Sequence, residues 1–129
     1  MTTPIVDFSF LYDLAENDTT YIHEVVKLYI NNIPDGIANL EKLINGSGNY
    51  EAIQRQAHSL KSSAGIIKVR EMYDDLAAID SFAKKEMEKN TSQSGDKKII
   101  IGKINNILLN FKEALPVIVA ERDKNKPAK

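Results

Sequence analysis

Apolar residues recur along this chain at steps of three and four, the spacing that places side chains on one face of an α-helix. Four stretches show the pattern. The first two stripes are Ile22, Val26, Tyr29, Ile33, Ile37, Leu40, Ile44 and Ile53, Ala57, Leu60, Ala64, Ile67. The last two are Val69, Met72, Leu76, Ile79, Ala83, Met87 and Ile100, Ile104, Ile107, Phe111, Leu115, Ile118. No segment alternates for long enough to predict a half-buried strand.

The first stripe crosses residues 31–36, a segment that is typical of a turn when taken alone. The phase of the stripe is nevertheless kept from Tyr29 through Ile33 to Ile37, whereas a turn normally resets it. We therefore predict one long helix with a kink at Pro34, because proline removes a backbone hydrogen bond there.

Four amphipathic helices with mostly short links predict an all-α fold, an antiparallel four-helix bundle. An apolar segment before the first stripe predicts a short leading N-terminal helix; its large residues are Phe8, Leu11, Tyr12 and Leu14. We expect residues 1–129 to form a single domain with a core from about residue 8 to 120. The charged segment 122–129 is expected to be a frayed tail.

Composition restricts the chemistry open to this bundle. The 129 residues include no Cys, which excludes disulfides and thiolate chemistry. The net charge of −1 argues against a global basic face, so no nucleic acid partner is expected. The apolar runs are too short for a membrane helix, and the N-terminus lacks the basic region of a signal peptide. We therefore expect a cytoplasmic protein without membrane contact.

The two histidines, His23 and His58, are the main candidates for a reactive group. On a helical wheel His58 points away from the second stripe. Its neighbours at helical spacing are Gln54, Lys61, Ser62 and Gly65. An exposed imidazole beside a cation and small side chains suits nucleophilic phosphoryl transfer. By spacing alone, however, an exposed His on such a helix is more often an ordinary solvated side chain.

His23 is interpreted as an exposed residue at the start of the first long helix. It lies far from His58 in the sequence, and neither His has supporting ligands at a suitable spacing. The sequence therefore predicts no metal site.

The motif around His58 adds to this interpretation. It reads Ala57-His58-Ser59-Leu60-Lys61-Ser62-Ser63-Ala64-Gly65. This run resembles the phosphorylation signature of histidine-containing phosphotransfer (HPt) domains, A-H-x-L-K-G-S. The likeness extends over about residues 8–88, including a long helix with a central proline. It implies a four-helix bundle that carries a phosphoryl group on a histidine.

The resemblance also implies individual roles. His58 would accept the phosphoryl group, and Lys61 would neutralise it. Ser62 replaces a usual Gly, and its hydroxyl would donate to the phosphoryl oxygens. Asp80 stands where the family often has a ring-orienting Gln or Glu, and Gln54 is a second candidate for orienting His58. A second usual Gly, which ends the helix in a left-handed conformation, is Lys68 here, so a cost of about 1 kcal/mol is expected if that geometry is kept.

A docking surface is expected from the leading helix, which in HPt proteins lies beside the phosphorylated His. One short helix cannot bury all of its large apolar residues. We predict that Leu11 and Tyr12 face outward and contact a partner together with Gly65 and Lys84. The alternative is that the pair caps the open end of the bundle.

The resemblance implies a phosphorelay intermediate that receives a phosphoryl group from one receiver domain and passes it to another. The expected partners are receiver domains of response regulators and of hybrid histidine kinases, which would supply Mg²⁺. No Gly-rich nucleotide loop is present in the sequence, so we expect a carrier without enzyme activity or a cofactor of its own. We also expect a monomer. The alternatives are an interaction-only bundle that docks a receiver or kinase without carrying phosphate and, less favoured, a histidine-kinase dimerisation domain.

Overall fold

Five helices and two very short strands make up the structure, a computed structural model that describes residues 5–46, 49–89 and 97–127. The elements are β1 (Val6–Asp7), α1 (Ser9–Ala15), α2 (Thr19–Asn45), α3 (Tyr50–Ile66), β2 (Lys68–Val69), α4 (Met72–Lys89) and α5 (Lys97–Lys124). The predicted all-α bundle with a short leading helix is confirmed. The strands were not predicted.

The four long helices form a closed ring in which each packs against the next in sequence and α5 returns to α2. Side-chain contacts show that the neighbours are antiparallel. Asn39, late in α2, donates to Gln56 in α3 at 2.6 Å. At the opposite end of α2, His23 Nδ1 lies 2.9 Å from the carbonyl oxygen of Arg122 near the end of α5.

The predicted apolar stripes form the core of this ring. Every residue of the first two stripes is buried, while Met87 is exposed and Leu115 is only partly buried. Ile67 and Val69 are buried although they lie outside the helices. Within the described ranges, no helix combines the length and the apolar character needed to cross a bilayer.

The turn-like segment of the first stripe is helical, as predicted. Helix α2 runs for 27 residues through Pro34. Gly36 is buried at the crossing with α3, where a Cβ atom would overlap the side chain of Leu60. The glycine that resembled part of a turn therefore allows α2 and α3 to pack closely.

Strands β1 and β2 tie the segment before α1 to the link between α3 and α4. They pair antiparallel, Val6 with Val69 and Asp7 with Lys68. The left-handed geometry of the family's usual Gly is not kept at Lys68, which is extended within β2, so the cost expected for that geometry does not arise. The positive φ of 62° falls on Glu71 instead, and the Glu71 carboxylate accepts from the amide of Asn106 at 3.0 Å.

The predicted orientation of α1 is wrong. Leu11 is fully buried. Tyr12 is half-buried because its hydroxyl donates to the Glu121 carboxylate and accepts from the Asn125 amide at 3.0 Å. Phe10 and Leu14, 48% and 50% exposed, are the outward pair.

The predicted frayed tail is also wrong over residues 122–125. Helix α5 continues to Lys124, and Asn125 is buried. Its amide bonds to Tyr12 and to the backbone carbonyl of Glu121, so the end of α5 is held by α1. Residues 128 and 129 lie outside the described part of the chain.

Candidate functional site

Helix α3 presents His58 to solvent. The helix begins after Asn49, whose side chain accepts from the Ala52 backbone at 3.2 Å, an N-cap that satisfies a free backbone donor. Ala57 and Leu60 flank the histidine in sequence and are buried against the bundle. The His58 side chain is consequently turned outward and is 68% exposed.

Asp80 on α4 is the centre of the polar cluster around His58. Its Oδ2 lies 3.3 Å from His58 Nδ1 and 2.9 Å from Lys61 Nζ. Its Oδ1 accepts from Gln54 Nε2 at 2.7 Å. The structure thus brings together four residues that the sequence singled out, namely Gln54, His58, Lys61 and Asp80. The described contact of Gln54 is with Asp80, so any effect on the His58 ring passes through that carboxylate.

This geometry assigns the proton on the His58 ring. A carboxylate only accepts hydrogen bonds, so Nδ1 facing Asp80 carries the hydrogen. Nε2 of the neutral imidazole then keeps its lone pair, which is what a nucleophilic histidine requires.

The charges of Asp80 and Lys61 support each other. Burial raises the pKa of Asp80, but hydrogen bonds from Gln54, Lys61 and His58 outweigh burial and hold it below its ordinary value of 3.8. The hydrogen bond to Asp80 is the main cause that raises the pKa of Lys61. At neutral pH the cluster therefore holds a carboxylate and an ammonium group.

Asp80→Asn tests the ionised state of Asp80 through its effect on the free energy of unfolding. The pKa of Asp80 is lower in the folded than in the unfolded chain, so its ionised form stabilises the fold above the unfolded value of 3.8, and this contribution disappears as the pH falls through the folded value. We expect the variant to lose about 1–2 kcal/mol at pH 7 and to approach the wild type in acid. Urea unfolding from pH 7 to 3 measures this. A difference that stays constant with pH would contradict it.

An open cleft of about 480 Å³ lies beside the histidine. Its described lining residues are Phe10, His58, Lys61, Ser62, Gly65, Ile66 and Tyr73. A neighbouring cleft of about 580 Å³ shares Phe10, Gly65 and Tyr73 with it. Phe10 and Tyr73 are both about half exposed, so two aromatic side chains border the site.

Sequence reasoning missed these two aromatic residues. Tyr73 lies off the third stripe, and Phe10 lies in the leading segment, where no stripe was assigned. An aromatic residue outside the assigned stripes is therefore the signal that would have found them. Lys84 is exposed on α4, one turn after Asp80. Neither Lys84 nor the pair Leu11 and Tyr12 is among the described residues that line the cleft.

A helical bundle that exposes a histidine beside a lysine and a carboxylate has the features expected of a histidine phosphocarrier. The family model of the Hpt domain matches residues 24–114, and the chain belongs to this family. Comparison with curated protein sequences and with solved structures gave no significant match. The family acts in phosphorelay histidine phosphotransfer together with receiver domains, and its members are carriers rather than enzymes.

Proposed function

We propose that this protein is the histidine phosphotransfer intermediate of a multistep phosphorelay, with His58 as the residue that carries the phosphoryl group. It receives the group from the phospho-aspartate of one receiver domain and passes it to the aspartate of another. The supporting observation is the exposed His58 ring, whose Nδ1 faces the Asp80 carboxylate at 3.3 Å. We expect a cytoplasmic monomer.

Uptake proceeds by attack of the His58 Nε2 lone pair on the phosphorus atom. The N–P bond forms and the P–O bond to the receiver aspartate breaks, with the electron pair leaving on the aspartate carboxylate. The proton stays on Nδ1, so the phosphorylated ring becomes positively charged and faces the negative charge of Asp80. Onward transfer reverses these steps, and the ring leaves the phosphorus as a neutral imidazole.

Lys61 and Ser62 follow His58 by one turn of α3 and line the same cleft. The Lys61 ammonium offsets phosphoryl charge, and the Ser62 hydroxyl donates to a phosphoryl oxygen. The receiver is expected to bring Mg²⁺, which screens the remaining charge. Among the described residues no three His, Asp or Glu side chains group in a way that could hold a metal ion.

Incubation with a phosphorylated receiver domain of a hybrid histidine kinase tests this function. We expect the label to move to this chain and to be stable in alkali but lost in acid, as is typical of phosphohistidine. Absence of label under conditions in which the receiver remains phosphorylated would contradict the proposal.

The receiver is proposed to dock on the aromatic border of the site. Phe10 on α1 and Tyr73 on α4 flank Gly65, and Ile66 adds a partly buried apolar surface. Gly65 has no side chain between the two aromatic residues, and a Cβ atom there would lie 3.9 Å from the Tyr73 ring. The surface between Phe10 and Tyr73 is therefore formed by backbone. Large aromatic side chains that become buried near the centre of an interface are frequent anchors of binding.

Phe10→Ala is expected to weaken receiver binding by about tenfold or more, since a truncated aromatic anchor costs on the order of 1–3 kcal/mol. Leu109→Ala is the matched control, because Leu109 is 68% exposed on α5, diagonally across the bundle from α3. Calorimetric titration with an unphosphorylated receiver measures both. Equal affinities for the two variants would place the docking surface elsewhere.

The alternative is an interaction-only bundle, and one contact favours it. Lys61 is bound to Asp80 at 2.9 Å, so its charge is partly neutralised before any phosphoryl group arrives. The transfer experiment separates the two functions, because an interaction-only bundle binds the receiver without acquiring label.

A further inference from the structure

Gln54 is the one member of the cluster whose contact with Asp80 is independent of the reacting groups. Lys61 and the His58 ring share Oδ2, at 2.9 and 3.3 Å. Gln54 donates to the other oxygen, Oδ1, at 2.7 Å. One edge of the carboxylate therefore faces the reactive side chains, and the other is bound by a neutral amide.

Phosphorylation changes the balance of charge at Lys61. A phosphoryl group on Nε2 brings up to two negative charges, compared with one on Asp80. Lys61 lies one turn after His58 on the same helix, its side chain is 23% exposed, and its four-carbon stem is flexible. The ammonium group is therefore drawn from Asp80 toward the phosphoryl oxygens.

The need for Asp80 rises in the same step. In the phosphorylated ring both nitrogens are substituted, one by phosphorus and one by hydrogen, so the ring is positively charged. A carboxylate facing Nδ1–H then forms an ion pair as well as a hydrogen bond. Loss of the Lys61 contact would leave the Asp80 carboxylate held only by the ring itself and by Gln54.

We propose that Gln54 is a positioning residue for the phosphorylated state: it holds Asp80 against Nδ1–H of the phosphorylated His58 ring after Lys61 has moved to the phosphoryl group. This inference rests on the proposed function of His58. In the resting protein Lys61 and Gln54 share the task, so Gln54 is partly redundant there. In the phosphorylated protein, two of the described donors to Asp80 remain: the His58 ring and Gln54.

Gln54→Met removes the donor while keeping an unbranched side chain of similar length that suits a helix. Gln56→Ala is the control, because Gln56 lies on the same helix and contacts Asn39 on α2. Each protein is phosphorylated with phosphoramidate, a small donor that needs no docking. Exchange of the His58 Nδ1 proton with water is then followed by NMR before and after phosphorylation.

We expect Gln54→Met to accelerate this exchange by about tenfold in the phosphorylated state, the equivalent of one lost charge-assisted hydrogen bond. In the resting state it should differ little from the wild type, and Gln56→Ala should match the wild type in both states. Equal acceleration in both states, or none in either, would overturn the inference and leave the proposed function intact. Wild-type protein that takes up no phosphoryl group on His58 would overturn the proposed function and the inference with it.

Discussion

Replacement of His58 by alanine is expected to abolish phosphoryl uptake while leaving the fold unchanged. The ring is the proposed nucleophile, and no other side chain in the cluster offers a neutral nitrogen with a free lone pair. Its side chain is 68% exposed, and exposed substitutions usually change the free energy of unfolding by no more than about 0.5 kcal/mol. Transfer of label from a phosphorylated receiver, together with urea unfolding, measures both effects.

His23→Ala is the matched control for this experiment. His23 is half-buried rather than exposed as the sequence indicated, because its ring Nδ1 contacts the Arg122 carbonyl at the end of α5. We expect this variant to take up label as the wild type does. Label that persists in His58→Ala and disappears in His23→Ala would show that His23, and not His58, carries the phosphoryl group.

Lys61→Ala is expected to slow phosphoryl transfer by about a hundredfold, since one donor aimed at developing charge is worth a few kcal/mol. Lys61→Arg keeps the positive charge and should have a smaller effect. Single-turnover transfer from a phosphorylated receiver gives the rates. If both variants transfer at the wild-type rate, Lys61 serves only as the partner of Asp80.

The loss of Lys61 also removes the cation that neutralises Asp80, so the rate needs a second comparison. Asp80→Asn combined with Lys61→Ala removes the carboxylate whose charge would be left without its cation. Asp80→Asn alone is the reference, because Asp80 also faces the His58 ring. If the double variant is slower than Asp80→Asn, the lost charge near the phosphoryl group explains the rate. If it matches the rate of Asp80→Asn, the unpaired Asp80 was the cause.

The long helices were predictable because the residues that face the core of a bundle recur with the helical period, at steps of three and four. The first two stripes are buried in full, and the phase through Pro34 correctly indicated one helix. The prediction for Met87 was wrong because the buried face shifts by one residue at the end of α4, where Glu86 is buried and Met87 is exposed. The strands β1 and β2 were not predictable, since two residues are too few to show a period.

The orientation of α1 was beyond the sequence for a different reason. Ser9 and Asp13 mark one polar side of the seven-residue helix, but Phe10, Leu11, Tyr12 and Leu14 spread over most of the rest, so the pattern does not decide which of them face inward. The choice is made by distant residues, because the Tyr12 hydroxyl pairs with Glu121 and Asn125 at the end of α5. Local pattern holds no information about such a contact.

In the candidate site, too, the contacts within one helix could be predicted from the sequence and those between helices could not. Gln54, His58 and Lys61 are neighbours on one helix, so their proximity followed from spacing alone. Asp80 lies on another helix and was reached only through the family resemblance. Its simultaneous contacts with three side chains, and the aromatic border of Phe10 and Tyr73, depend on how α3, α4 and α1 pack together.

The anchoring of α1 has a consequence for the order in which the protein opens. A seven-residue helix has little stability alone, and this one is held by the β1–β2 pair on one side and by the Tyr12 contacts on the other. Its amides should therefore exchange as one cooperative unit with those of the last turn of α5. A chain in which that unit has opened still contains His58 but has lost Phe10 from the rim of the cleft. Receiver binding would then report on whether α1 and the end of α5 are folded, even while the rest of the bundle stays intact.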